Sequence, residues 1–198
     1  MLASITPLGE RGRQSSWTVT VTAFLIGAGA TGAAVGALAG AAGQLALGAH
    51  QIGARTRLVL LALALLAALA LDFVPQRVPG PRRQVNERWL DEFRGWVYGL
   101  GFGAQLGLGV TTVVASAATY AALAAAFLSG DPGRGALVLG CFGAIRGLTP
   151  LATATVRRPD QLVSLHRRVE QLRTPVARLT PAALGALFAL ALAGWAVA

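Results

Sequence analysis

From Trp17 to Gly48 the chain carries no charged residue. At about 1.5 Å per residue, these roughly 32 residues make about 48 Å of helix, against a hydrocarbon core of about 30 Å. A soluble domain of 198 residues has no place to hide such a run. A bilayer has, provided the helix tilts, breaks or runs past the interface.

A second uncharged stretch, about 34 residues, covers Gly95 to Leu128. Three shorter apolar runs complete the pattern: Leu58–Val74, Gly135–Val156 and Pro181–Ala198. Only 13% of residues are charged, about half the usual globular share, and mean hydropathy is +0.60. The expectation is an all-α, polytopic integral membrane bundle of about five transmembrane helices. The spans are approximately 17–48, 58–74, 95–128, 135–156 and 181–198. Spans one and three are long, Gly-rich and open to being broken. The whole chain, 1–198, reads as a single membrane domain.

Between the spans lie three polar segments, 1–16, 75–94 and 157–180. All of the basic residues are arginine. Arg11, Arg13, Arg77, Arg82, Arg83, Arg88, Arg94, Arg157, Arg158, Arg167, Arg168, Arg173 and Arg178 fall in these segments. Arg55, Arg57 and Arg134 fall on the opposite face, and Arg146 lies within a span, which accounts for all 17. Short cytoplasmic loops collect Arg, so the expected N-terminus is cytoplasmic, in a multi-pass protein of the plasma membrane. The net charge of +9 then has a topological cause, and nucleic acid is not an expected partner. Arg11 and Arg13 followed by an apolar run resemble a signal peptide, but the run continues well past any cleavage point.

Two of the polar segments carry helical periodicity. Val85, Trp89 and Phe93 recur every four residues, with Trp96 nearby. Leu162, Leu165, Val169 and Leu172 form a stripe opposite Arg167, Arg168 and Arg173. Two amphipathic cytoplasmic helices are expected, lying against the bilayer surface or capping the bundle.

Gly32, Gly36, Gly40 and Gly48 share one register, as do Gly95, Gly99, Gly103 and Gly107. Lipid supplies no hydrophobic drive for helix association, so such glycine stripes permit close backbone contact instead. They predict tight packing of spans one and three, within one chain, in a homo-oligomer or against a partner membrane protein. Residues Gly27-Ala-Gly-Ala-Thr-Gly32 match the dinucleotide pattern GxGxxG. They lack the following βαβ unit, and no acid lies between Glu10 and Asp72 to hold a ribose, so no cofactor is expected.

Arg146 sits inside the fourth apolar run, about ten residues from either end. A guanidinium there is costly and needs acceptors or a bound anion. The candidate substrate-binding set is Arg146 with Gln105, Thr111, Thr112 and Thr149. No paired acids share a span, no Ser/His/Asp or Cys/His set shares a depth, and the single cysteine, Cys141, precludes a thiolate cage. Neither a metal site nor an enzyme is expected. Two functions remain. One is a transporter or channel-like protein for an anionic or polar small solute. The other is a non-catalytic accessory or assembly subunit of a larger membrane complex.

Overall fold

The computed structural model describes residues 5–73, 88–109 and 116–197. In chain order the helices are α1 (Pro7–Gly12), α2 (Trp17–Ala49), α3 (Ala54–Phe73), α4 (Trp89–Glu92), α5 (Gly95–Gly107), α6 (Ala118–Ser129), α7 (Pro132–Gly147) and α8 (Pro159–Val197), with a 3-10 helix at Thr149–Thr153 after α7. No strand occurs among the described residues. Four helical stretches are long and apolar enough to cross a membrane: Trp17–Ala49, Ala54–Phe73, Pro132–Thr153 and Arg178–Ala196. The surface agrees, since Leu45 is 76% exposed and Leu38 72%. Side chains like these need lipid or a partner to cover them.

α2 is the axis of the bundle, and its glycines set how closely its neighbours approach. A Cβ on Gly36 would overlap the Gly135 carbonyl, and one on Gly40 would overlap that of Asp131. Gly32 meets Leu139 in the same way, so α7 runs antiparallel to α2. On another side, Gly99 meets the Thr20 carbonyl, Gly103 that of Phe24 and Gly107 that of Ala28, so α5 runs parallel. Removing the side chains brings backbone against backbone, where dispersion is densest.

α5 has 13 residues and α6 has 12. At 1.5 Å per residue each is about 20 Å long, too short to cross a core of about 30 Å. The uncharged run 95–128 is therefore divided between two helices. α5 lies along the first half of α2, ending level with Ala28 and Gly32. α6 lies along the second half, where a Cβ on Gly43 would strike the Phe127 carbonyl. α5 stops because Gly109 takes φ +71, the left-handed conformation that ends helices just past their last turn. The amide of Leu108 donates to Ala104 O at 3.0 Å, and that of Gly109 to Leu106 O at 3.2 Å.

Two apolar clusters flank this axis. One joins Ile5, Val21, Phe24, Tyr98 and Phe102, with Trp89 stacked on Phe102 at 6.0 Å between ring centres. The other joins Ala62, Leu65 and Ala68 of α3 to Ala117 and Ala121 of α6 and to Leu184 and Ala191 of α8. α8 is a single helix of 39 residues that continues through Pro175 and Pro181, each of which removes one backbone hydrogen bond. Its Arg-rich start and its apolar end thus belong to one element. The expected helix over 75–94 is only partly within view: α4 and the start of α5 hold Trp89 and Trp96, while Arg77, Arg82, Arg83 and Val85 lie outside the described residues.

Candidate functional site

The interruption between α5 and α6 brings two opposite charges to two helix ends. Asp72, near the end of α3, accepts the Ala117 amide at 2.7 Å and the Ser116 hydroxyl at 2.8 Å. It caps α6 in trans, from a residue 45 positions earlier in the chain. A carboxylate at a helix N-terminus satisfies orphan N–H groups and meets the positive end of the helix dipole. The Ser116 hydroxyl also accepts the Ala118 amide at 3.0 Å.

Arg146 occupies the other helix end. Its Nη1 lies 3.5 Å from Leu106 O, in the last turn of α5, and its guanidinium carbon lies 5.5 Å from the centre of the Phe142 ring. A cation suits the carbonyl end of a helix. The distance is at the outer limit of a hydrogen bond, and no other polar contact of this side chain occurs among the described residues. Guanidinium carries five N–H donors, of which the described residues engage one. Sequence spacing put Arg146 halfway along its span. In the structure it stands in the last turn of α7, beside Gly147, whose Cα faces Leu25 and Ala28 of α2. α7 ends here, and Pro150 leads the chain into a 3-10 turn.

The other sequence-derived residues are placed unevenly. The exposed Thr149 hydroxyl donates to the main-chain O of Arg146 at 2.7 Å, a local contact three residues back. Gln105 precedes Leu106 on α5 and is half-buried. Thr111 and Thr112 lie outside the described residues. Residues 27–32, the GxGxxG match, are helical within α2 and pack against α5 and α7.

A second polar cluster was not anticipated from sequence. Glu10 is fully buried, although it belongs to the short α1 near the N-terminus. Its carboxylate accepts the Tyr98 hydroxyl at 2.5 and 2.6 Å and the Thr20 hydroxyl at 2.8 Å, and pairs with Arg13 at 2.9 Å. Burial pulls the Arg13 guanidinium down, but its bonds to Glu10 and Tyr98 more than offset this and hold it above its ordinary pKa. Gly95 leaves the room, since a Cβ there would crowd Ser15, Thr20 and Glu10. At the same end Thr153 donates to Ile5 O at 2.8 Å, and the Leu8 amide donates to Val156 O at 3.1 Å. α1 is therefore tied to α2, α5 and the segment after the 3-10 helix. A signal for it existed: Thr6-Pro7 is a side-chain cap followed by proline at the first helical position.

The features assembled so far, apolar helices of spanning length and lipid-ready surfaces around a packed axis, are those of an α-helical membrane protein. Comparison of the chain with known protein families, characterised proteins and solved structures finds no match.

Proposed function

We propose that the chain is a small membrane transporter or channel-like protein for an anionic or polar small solute, handled at the interruption between α5 and α6. The observation that carries this reading is the guanidinium of Arg146 at the end of α5, whose one polar contact among the described residues is Leu106 O at 3.5 Å. Interrupted helices in transporters place half-helix ends and freed backbone groups around a solute. On this reading α5 and α6 act as one broken span, five spans in all, with the N-terminus cytoplasmic in the plasma membrane. Arg146 balances the solute's charge, and Gln105, Thr149, Thr111 and Thr112 supply hydrogen bonds. Asp72 keeps the second half-helix in register and is not itself a ligand, because both of its oxygens are engaged.

The test is flux of a panel of small anions into proteoliposomes, comparing wild type with Arg146→Gln and Arg146→Lys. Flux of at least one anion that falls about tenfold or more in Arg146→Gln and partly returns in Arg146→Lys supports the reading, the size being that of a lost charge-assisted hydrogen bond. No flux of any anion, or equal flux in folded Arg146→Gln, overturns it.

A second reading, an accessory subunit of a larger complex, has its own support. α8 packs chiefly on α3, and between it and α6 and α7 lies a groove of about 740 Å3 lined by Leu65, Ala122, Phe142, Ile145 and Leu187. An apolar helix of a partner membrane protein would fit that groove. Cross-linking from Cys141, which is exposed on its wall, distinguishes the readings: a specific adduct together with absent flux favours the accessory role.

A further inference from the structure

The N-terminal end of the bundle carries a second kind of cavity, of about 360 Å3, walled by Pro7, Arg11, Ser15, Trp17, Ala154 and Arg157. Ser16 and Thr18 complete it, their hydroxyls 2.9 Å apart. Arg11 and Arg157 come from opposite ends of the sequence, and both are exposed. No carboxylate lines the cavity, and neither arginine forms an ion pair among the described residues. Two guanidiniums lining one cavity repel each other unless an anion lies between them.

The placement is built rather than incidental. The Leu8 amide bonds Val156 O at 3.1 Å, one residue before Arg157, and Arg11 follows Leu8 by one helical turn. Thr153, fully buried, bonds Ile5 O at 2.8 Å. These links clamp α1 to the segment after the 3-10 helix, so the two arginines flank one cavity, and no acid among the described residues pairs with either.

An apolar track leads away from the cavity. A 3-10 helix has three residues per turn, so Leu148, Leu151 and Ala154 share one face of Thr149–Thr153 and its flanks. Ala154 is on the cavity wall, while Leu151 is 43% and Leu148 48% exposed. Charge at the membrane-surface end and apolar surface running inward match an amphiphile better than a free ion. Trp17 beside it is the residue type that settles at headgroup level.

We propose that this cavity is a binding site for an anionic glycerophospholipid of the leaflet on the N-terminal side. Arg11 and Arg157 clamp its phosphate, and an acyl chain follows Leu151 and Leu148. Guanidinium forks match phosphate oxygens bidentately, which sets this site apart from loose surface attraction. The site is separate from the α5–α6 interruption and does not depend on what happens there.

The experiment is lipid-dependent thermal stability of the full chain in a neutral detergent, titrated with dioleoyl phosphatidylglycerol, with dioleoyl phosphatidylcholine and with inorganic phosphate. The variants are Arg11→Gln, Arg157→Gln and Arg94→Gln, the last an exposed arginine outside this cavity. The proposal expects phosphatidylglycerol to stabilise the wild type, with the half-saturating concentration rising about tenfold or more in Arg11→Gln and in Arg157→Gln. It expects no change in Arg94→Gln, and weaker effects from phosphatidylcholine and from inorganic phosphate. Equal weakening in Arg94→Gln would mean diffuse surface charge. Equal stabilisation by phosphatidylcholine would mean chain packing alone, and a full effect from inorganic phosphate would mean a free-ion site. Each of these three results overturns the proposal, as does undiminished phosphatidylglycerol binding in both cavity variants.

Discussion

Replacing Asp72 with alanine removes the acceptor that starts α6. Two hydrogen bonds are lost, from the Ala117 amide at 2.7 Å and the Ser116 hydroxyl at 2.8 Å. Ala117 is fully buried, so its amide has no water to turn to. Hydrogen bonds to a charged group are worth about 1.5–3 kcal/mol each, and loss of an N-terminal cap typically costs about 0.5–2 kcal/mol. The two descriptions overlap, and Asp72 is only half-buried, so the expected loss is about 2–4 kcal/mol. For a chain of this length that lowers the melting temperature by about 5–15 °C, read by circular dichroism in detergent. Asp72→Asn keeps an oxygen for the Ala117 amide and should lose about half as much. A melting temperature for Asp72→Ala within about 1 °C of wild type would refute the claim that α3 holds the start of α6.

Other consequences follow from the packing and the buried polar cluster. Glu10→Ala leaves the Tyr98, Thr20 and Arg13 donors without their common acceptor and should destabilise by about 3–5 kcal/mol; Tyr98→Phe, which removes one donor and leaves the carboxylate with others, should cost only about 1–2 kcal/mol, both read by thermal melts. Gly36→Ala forces a Cβ into the Gly135 carbonyl and should cost at least about 1–3 kcal/mol by chemical denaturation, whereas Gly48→Ala, with nothing within 4 Å, should be neutral or stabilise by up to about 1 kcal/mol. Cys141, on the wall of the apolar groove, should react faster with a lipid-soluble maleimide than with a charged one of similar size when the protein is in vesicles.

The helical class and the presence of helices long and apolar enough to span were legible because they rest on composition summed over many residues. α2 begins at Trp17, where the apolar run begins, and one long stretch leaves little ambiguity. The division of 95–128 was not legible in detail. The glycines that draw the eye, Gly95, Gly99, Gly103 and Gly107, continue a helix, whereas Gly109, out of their register, is the one at positive φ. The partner that starts α6, Asp72, is remote in sequence, and single-residue charge patterns do not reveal a cap made in trans. Arg146 stood out by hydropathy alone, but the end of α7 just after it, at Gly147, and the 3-10 turn at Pro150 did not. Glu10 looked like part of a polar tail because a lone acid among solvated neighbours is the commoner situation. Only its three partners, Arg13 just after α1, Thr20 of α2 and Tyr98 of α5, make it a core residue. Composition alone divides the chain at 180/181 into a polar segment and a span, whereas packing of its end on α3 carries one helix through Pro175 and Pro181.

The central proposal is that a polar solute is handled where α5 and α6 meet, beside Arg146. Cysteine accessibility tests it most directly, in a Cys141→Ala background with the protein in sealed vesicles. Gln105→Cys and Ser116→Cys flank the gap, and Ala125→Cys lies on α6 facing the apolar groove. The account predicts that the first two react with a small charged methanethiosulfonate while Ala125→Cys does not. Protection of all three positions alike would mean a continuous, dry helix packing, and would contradict it.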